Sequence, residues 1–539
     1  MTVDREPDRD SSRQSISAWS PLGDPLFRAL WIATLVSNIG TWMHDVGAGW
    51  LMTSLSPSPV MVALVQTATT LPVFLLALPA GALADIVDRR RFLIVVQLWM
   101  GCVAALLATT VFIGVVSAWS LLVLTFAMGI GAAMMIPAWA AITPEIVPRR
   151  ELQSAIALNS MGINVARAIG PALAGVIVSY AGTGAVFALN ALSYAGIIIV
   201  LVRWQRTVPR TELPAERFFG SLRHGVRFAL HAPALQAAVI RGAGFFLFAS
   251  ASWALLPLIV RNLPDGGPQA FGILVASIGV GAVLGALVLP ALREKLSRDL
   301  QVVLASVLYA LVLLGLATVD QLWPLAGVMT VAGVAWITIL SSLQVAAQMA
   351  LPNWVRSRGL AVFMAVFMGS MALGSLVWGG IAQFLSVNQS LIIASVGALV
   401  AAALTWRWKV SGVESVELTP SMHWPTPRVY DTIENDRGPV LVTIEYDVQP
   451  EKTQEFIHAL RELGRNRQRD GAFFWSVFED TERPNYFIET FSVESWLDHL
   501  RQHERVTEAD KAIQEFLKTL LVEGATPMVK HYVAPRELR

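Results

Sequence analysis

Twelve apolar segments, each about as long as a bilayer is thick, constrain the fold of this chain more than any other feature. A helix needs about 20 mostly apolar residues to cross the hydrocarbon core. Only 15% of the 539 residues are charged, whereas soluble domains average about a quarter. We therefore expect an all-α polytopic membrane protein and number the predicted spans 1 to 12. They lie near residues 28–55, 60–83, 92–116, 120–141, 152–179, 184–202, 234–260, 268–291, 300–318, 322–349, 358–385 and 389–408.

The net charge and the cysteine content exclude several other classes of protein. A formal net charge of +1 excludes a broadly basic protein, so we expect no nucleic-acid partner. The single cysteine, Cys102, lies inside span 3, which excludes a disulfide framework. Residues 1–25 are polar and lack the apolar core of a secretory signal. We expect this segment to be a disordered cytosolic leader.

The basic residues of the short connections predict the orientation of the spans. Connections 2–3, 4–5, 6–7, 8–9 and 10–11 contain sixteen Lys and Arg residues, whereas the six opposite connections contain only Arg261. Basic loops stay on the cytoplasmic side of a membrane. Both termini are therefore expected to be cytoplasmic, with membrane lipid around the spans.

An internal repeat at an offset of 204 residues indicates two six-helix halves of the same orientation. Chance matching is the alternative in a chain this rich in Gly and Ala. Parallel halves related about the membrane normal are a transporter design, with the substrate bound between them near the midplane. The coincidences pair Gly81–Leu83 with Gly285–Leu287, Arg89 with Arg293, Gly129 with Gly333, Pro148 with Pro352, Gly170 with Gly374 and Gly175 with Gly379.

The segment "GALADIVDRRR", residues 81–91, connects spans 2 and 3. Twelve helices in two parallel halves, together with this segment, make the chain resemble the major facilitator superfamily. The signature of that family in the connection between helices 2 and 3 is G-x-L-A-D-x-x-G-R-[RK]. The resemblance implies that Gly81, Asp85, Arg89 and Arg90 form a conformational latch. Gly81 would allow a close helix approach, and Asp85 would face the positive N-terminus of span 11. Asp88 replaces the usual glycine. Topology anchoring is a second role for the arginines.

The segment "GINVARAIGPALAG" in span 5 resembles the exporter-type motif of the same superfamily. The motif residues are Gly162, Gly170, Pro171 and Gly175. We expect them to pack closely on span 8, at Gly279, Gly281 and Gly285, because small residues allow backbones to approach. An ordinary packing face is the alternative. Residues 20–410 resemble the enterobactin-exporter branch, also called transmembrane secretion effectors, which implies export across a bacterial inner membrane.

Two ionisable residues lie deep in predicted spans, where charge is costly and marks functional sites. Asp45 is near the middle of span 1, and Arg167 is in the middle of span 5. We interpret them as a proton-coupling pair that forms in one conformation and separates in the other. A permanent structural pair is the alternative. Arg241, near the cytoplasmic end of span 7, is expected to snorkel to the interface.

Several polar and aromatic residues are candidates for the substrate cavity. Each could instead hold helices together or pack at an interface. The polar candidates are Asn38, Gln66, Asn164, Asn190 and Gln344, and the aromatic candidates are Trp42, Trp50, Trp139, Trp253 and Trp336.

Beyond residue 410 the pattern predicts a soluble module. Its strands and helices follow the order β-α-β-β-α-β, which is ferredoxin-like. The segment "SWLDHLRQHERVTEAD" resembles the dimeric α+β barrel family that includes small antibiotic-biosynthesis monooxygenases. His499 and His503 lie four residues apart and could bind metal, but a solvated or packed pair is favoured. We expect a dimerisation or regulatory module, a possible homodimer, and neither metal nor cofactor.

The predicted organisation therefore has six parts. They are the leader 1–25, six-helix halves at 26–203 and 234–410, linkers at 204–233 and 411–438, and the ferredoxin-like domain at 439–539. The predicted function is secondary active export of a small organic compound, siderophore-like or drug-like, by alternating access driven by protons. An importer of the same fold is one alternative. The other is a membrane-anchored monooxygenase acting through the C-terminal domain.

Overall fold

The computed structural model describes residues 17, 19–204, 218–352, 354–412, 419–425 and 433–535. Most of the predicted leader and parts of both predicted linkers lie outside these residues. The membrane part contains eleven long helices in the described chain. They are α1 (Pro25–Leu55), α2 (Pro59–Ile86), α3 (Arg89–Phe112), α4 (Ala118–Ile146), α5 (Leu152–Arg203), α7 (Pro233–Arg261), α8 (Pro268–Lys295), α9 (Arg298–Thr318), α10 (Leu322–Met349), α11 (Arg356–Phe384) and α12 (Val387–Leu404). Short 3-10 turns occupy Ser20–Gly23, Arg149–Glu151, Thr405–Arg407 and Pro450–Lys452.

Within the described residues, ten helices are long and apolar enough to cross a membrane. α1 is outside this set although it has 31 residues, because residues such as His44 and Asp45 lower its hydropathy. α5 has 52 residues and is interrupted at Gly182, whose φ of 77° is in the left-handed region that favours glycine. α5 therefore accounts for spans 5 and 6.

The neighbours of α1 show that the chain reverses at Gly182. In the first arm of α5, Gly162 lies against Trp31 and Gly170 against Trp42, so this arm runs parallel to α1. In the second arm, Asn190 lies against Gly40 and Phe187 against Gly47, so the order is reversed. The twelve predicted spans are confirmed, with α1–α5 as the first half and α7–α12 as the second.

The two halves make close contacts on the side of the bundle opposite to the start of α1, which we call the far side. The Ser58 hydroxyl donates to Gln383 Oε1 at 2.8 Å, joining α2 to α11. A Cβ on Gly49 of α1 would lie 3.5 Å from Pro257 of α7. The opposite side, which holds the start of α1 and the end of α12, is called the terminal side.

The predicted linker between the halves contains a helix that the spans did not indicate, α6 (Phe218–His231). It packs against α11 and against the helix Thr453–Arg469 of the C-terminal domain, α13. Arg227 Nη1 donates to the carbonyl oxygen of Gly471 at 2.7 Å, and Arg223 forms an ion pair with Glu494. α6 therefore connects the membrane part to the C-terminal domain.

The C-terminal domain is ferredoxin-like, as predicted. A four-stranded antiparallel sheet has the order β2-β3-β1-β4, and its core lies between one sheet face and the helices. The single helix predicted after β3 is two helices, because Thr507 begins a new one in a reciprocal capping box with Asp510. The elements are β1 (Val440–Asp447), α13 (Thr453–Arg469), β2 (Phe474–Glu479), β3 (Tyr486–Val493), α14 (Trp496–Arg505), α15 (Glu508–Thr519) and β4 (Met528–Val533).

Candidate functional site

A cavity of about 410 Å³ lies between the two halves of the membrane part and is called the central cavity. α1, α2, α4 and α5 supply one wall, and α7, α8, α10 and α11 supply the other. This is the place that the internal repeat predicts for a substrate, because only a site between the halves is exposed to each side in turn.

Aromatic side chains from both halves form a continuous wall of the central cavity. The rings of Trp42 and Trp253 are 6.4 Å apart, and those of Trp253 and Trp336 are 5.5 Å apart. Phe271 and Phe367 also line the cavity, although nothing in the sequence separates them from ordinary core residues. The indole Nε1 of Trp253 is buried and makes no hydrogen bond of standard geometry with a described residue, although the Tyr309 hydroxyl lies beside it. A ligand in the cavity could accept that hydrogen bond.

Asp45 and Arg167 both line the central cavity, but they do not form an ion pair in this structure. The Arg167 guanidinium lies over the Trp42 ring, 5.5 Å from its centroid, and its buried Nε has no acceptor in the described chain. Asp45 has no hydrogen bond or salt bridge with any residue the structure describes. The predicted pair is therefore absent in this conformation. A cation and an anion are instead both available inside the cavity.

The polar residues predicted for the cavity are distributed over different environments. Gln66 lines the central cavity. Asn38 lines a neighbouring cavity of about 460 Å³ within the first half. Asn190 is fully buried, and its Oδ1 packs against Gly40, so it lies between helices. The Asn164 amide donates to the Ser160 carbonyl oxygen at 2.9 Å, and Gln344 is exposed. Neither of these two lines either cavity.

The glycine motif of α5 contacts two helices and not α8 alone. A Cβ on Gly170 would lie 2.7 Å from the Cβ of Trp42, so Gly170, like Gly162, faces α1. Pro171 and Gly175 do face α8, since a Cβ on Gly175 would lie 2.7 Å from the Pro268 carbonyl oxygen.

The predicted glycine face of α8 is likewise shared between two helices. A Cβ on Gly279 would lie 2.8 Å from the carbonyl oxygen of Arg167 on α5. Gly281 and Gly285 instead pack on α10, where their neighbours are Thr330 and Val334. The expected α5–α8 contact therefore forms through Gly175 and Gly279.

The segment between α2 and α3 makes its described contacts within the first half. Arg89 Nη1 lies 2.8 Å from Glu145 Oε1 of α4, and Arg90 donates to the carbonyl oxygens of Leu201 and Val202. Within the described part of the chain, no atom lies within 4 Å of a Cβ placed on Gly81. The side chain of Asp85 lies outside the described part of the structure.

Asp88 explains why the usual glycine of this segment can be replaced. Its carboxylate accepts from the backbone N–H of Arg91 at 2.8 Å and caps the N-terminus of α3.

Arg241 does not snorkel, contrary to the prediction. It forms a buried ion pair with Asp299 of α9. Asp299 also accepts from the backbone N–H of Val410 at 3.0 Å and of Ser411 at 3.2 Å. The pair therefore joins α7, α9 and the segment after α12.

Comparisons with known proteins agree with this architecture. The family model described as "Transmembrane secretion effector" matches residues 16–538. The enterobactin exporter EntS of Salmonella typhi is 26% identical over 387 residues, covering 70% of this chain and 90% of that protein. The staphyloferrin A transporter of Staphylococcus aureus is 26% identical over 282 residues, covering 51% of this chain and 70% of that protein.

Solved structures show the same fold at low identity. A bacterial homologue of the human lysosomal transporter Spinster, in an inward-facing and unoccupied conformation, has a TM-score of 0.56 at 14% identity and covers 72% of this chain and 97% of its own. A POT family transporter in complex with 5-aminolevulinic acid has a TM-score of 0.59 at 12% identity and covers 72% of this chain and 96% of its own. The family match extends over nearly the whole chain, and its known relatives are transporters and not enzymes. The chain is a member of the transmembrane secretion effector family of major facilitator transporters.

Proposed function

We propose that this protein exports a small organic compound with aromatic character from the bacterial cytoplasm, by alternating access coupled to protons. The observation that carries the proposal is the central cavity, in which Trp42, Trp253 and Trp336 face an available carboxylate and an available guanidinium. Aromatic rings bind flat apolar groups, and Arg167 and the Trp253 indole can donate to acidic or phenolic oxygens.

The direction of transport is proposed from two observations. The relatives include a protein named as an enterobactin exporter. The motif in the first arm of α5 resembles that of exporters, and its Gly175 packs on α8 where the halves meet. The orientation of the termini toward the cytoplasm follows from the basic connections.

Asp45 is the proposed proton-coupling residue, with Arg167 as its competitor. In this conformation Arg167 lies over Trp42 and Asp45 has no described partner, so the carboxylate is free to bind a proton. When the cavity opens to the other side, Arg167 would approach Asp45 and displace that proton. Because Asp45 would bind either a proton or Arg167, the conformational change would depend on the proton gradient.

The cytoplasmic latch is the proposed conformational control. The halves contact each other closely on the far side, whereas no described atom lies within 4 Å of a Cβ placed on Gly81 on the terminal side. We propose that Asp85, Gly81 and the following arginines approach α11 when the terminal side closes.

The C-terminal domain is proposed to mediate a homodimer. The sheet face opposite its helices exposes Leu441, Phe474, Phe478 and Tyr532, and strand pairing places these residues on one surface. The two halves, the linkers and this domain are the proposed functional divisions of the chain.

The test uses a deletion strain and reconstituted protein. Compounds that accumulate inside deleted cells are identified, and their efflux is measured in proteoliposomes with an imposed pH gradient. Asp45→Asn should abolish gradient-driven efflux and spare exchange down a substrate gradient. Asp320→Asn, on the exposed α9–α10 connection, is the matched control. Gradient-driven concentration of substrate by Asp45→Asn would show that coupling lies elsewhere, and uptake in place of efflux would establish an importer.

A further inference from the structure

The C-terminal domain contains a cavity of about 890 Å³, which we call the domain cavity. It lies between the helix-facing side of β1 and β4 and the helices α14 and α15. Val442, Ile444 and Phe491 give it an apolar floor, and His423, Trp424 and Pro425 also line it. The proposed transport function uses no part of it.

The described lining of the domain cavity offers hydrogen-bond donors to an anionic ligand and no carboxylate that would repel it. No Asp or Glu is among the described residues that line the domain cavity. Seven cationic or imidazole residues line it, namely His423, Arg467, His499, His503, Lys518, Lys530 and His531. Two of the cations are paired, Arg467 with Glu489 and Lys530 with Glu445, so an anion would be bound through the remaining hydrogen-bond donors of Arg467 and not through an excess of positive charge.

Arg467 is built into this site and retains free donors. The residue is 4% exposed, and its Nε donates to Glu489 Oε1 at 3.3 Å. Glu489 also accepts from the Tyr446 hydroxyl at 2.8 Å and from Trp475 Nε1 at 3.0 Å, so its carboxylate is satisfied. The terminal nitrogens of Arg467 have no acceptor in the described chain. Such a fork matches the two oxygens of a carboxylate.

Three histidines form the adjoining wall. His503 Nε2 is 3.3 Å from His499 Nε2, and the ring of His531 is 4.7 Å from that of His499. His499 is 1% exposed, its Nδ1 makes no hydrogen bond of standard geometry with a described residue, and the side chain of Gln502 lies beside its ring. Burial lowers the pKa of His499 to about 3 and that of His503 to about 4, so both are neutral near pH 7. Among the described residues, no three His, Cys, Asp or Glu side chains are placed to bind one metal ion.

The segment 419–425 contributes an aromatic ring, that of Trp424, to the lining of the cavity. Trp424 Nε1 donates to Gln514 Oε1 at 3.0 Å, and Ser421 N donates to the Val506 carbonyl oxygen at 2.9 Å. The Trp424 ring lies 4.6 Å from the Arg467 guanidinium and 5.0 Å from the His503 ring. A flat ligand beside this indole would have its charged end next to Arg467.

We propose that the domain cavity binds an organic carboxylate with a flat apolar body. The carboxylate contacts Arg467 and His499, and the body lies between Trp424 and the apolar floor of β1. The domain is then a ligand-binding module attached to the transporter, and not only a dimerisation unit.

The test is calorimetric titration of the full-length protein in nanodiscs with 2-naphthoate, using neutral 2-naphthamide as the matched ligand. We expect 2-naphthoate to bind at least about tenfold more tightly. Arg467→Lys keeps a cation beside Glu489 but removes the fork, and should weaken binding about tenfold. Trp424→Leu should also weaken binding. His458→Gln, on the exposed face of α13, is the control and should leave binding unchanged.

Hydrogen exchange of the complex then locates the bound ligand. Protection should appear in 419–425, α14 and β4. Four results would each overturn the proposal. They are absence of binding, equal affinity for 2-naphthamide, unchanged affinity in both Arg467→Lys and Trp424→Leu, and protection confined to the membrane helices.

Discussion

Asp299→Asn tests whether the buried ion pair between α7 and α9 stabilises the membrane part. The side chains of Arg241 and Asp299 are 1% and 8% exposed. The carboxylate also accepts from the backbone N–H groups of Val410 and Ser411. Asparagine keeps the shape of the side chain but removes its charge, so the Arg241 guanidinium would remain buried without an anion.

The expected cost follows from that burial. Removing one partner of a buried ion pair costs about 3–5 kcal/mol, mainly because the other charge stays desolvated. The remaining carbonyl oxygen of asparagine can still accept one of the hydrogen bonds, each of which contributes about 1 kcal/mol. We therefore expect the free energy of unfolding to fall by about 3 kcal/mol, the lower end of this range.

The assay is denaturant unfolding in detergent micelles, followed by tryptophan fluorescence. Arg241→Met/Asp299→Leu removes both charges and should recover most of the lost stability. Arg261→Gln, at the exposed end of α7, is the control and should change stability by less than about 0.5 kcal/mol. Two results would refute the reasoning. One is a fall of less than about 1 kcal/mol in the free energy of unfolding of Asp299→Asn, and the other is a double variant whose loss equals the sum of the losses of its two single variants.

Three further predictions concern other contacts. Gly175→Leu should lower the unfolding temperature, since its Cβ would lie 2.7 Å from a carbonyl oxygen at the α5–α8 contact. Gly327→Leu is the control and should not, because no described atom lies within 4 Å of a Cβ there. Equal effects of the two substitutions would contradict this. The pKa of His503 is about 4 in the folded protein, whereas its ordinary value is 6.5. As the pH falls from 6.5 toward 4, the unfolded chain therefore binds the proton before the folded protein does, and the folded protein loses stability. His503→Gln should reduce that loss in acid titration of domain unfolding, and an unchanged slope would exclude it. Glu494→Gln should increase the hydrogen exchange of α6, because it removes the ion pair between Arg223 and Glu494. It should lower the free energy of unfolding by no more than about 1 kcal/mol, because that pair is exposed. Unchanged exchange would mean that the pair does not hold α6 in place.

The spans, their number and the order of elements in the C-terminal domain were predictable from the sequence, except that the helix predicted after β3 is divided into α14 and α15. Each depends on a local property, namely the length of an apolar run or the alternation of a strand. The reversal at Gly182 could also be anticipated, because two adjacent runs of that length cannot both cross the membrane without turning.

The environment of individual polar residues was decided only by the tertiary structure. Gln66 faces the central cavity and Asn190 lies buried against Gly40, although both are single amides in apolar spans. Arg241 is paired and not snorkelling because Asp299, 58 positions away in the chain, comes to it from α9. The domain cavity likewise joins His531 of β4 to the histidines of α14. The hydrophobicity of a segment depends only on its own residues, so the membrane spans can be predicted from the sequence. The partner of a buried charge depends on which helices pack together, and that is settled only when the whole chain has folded.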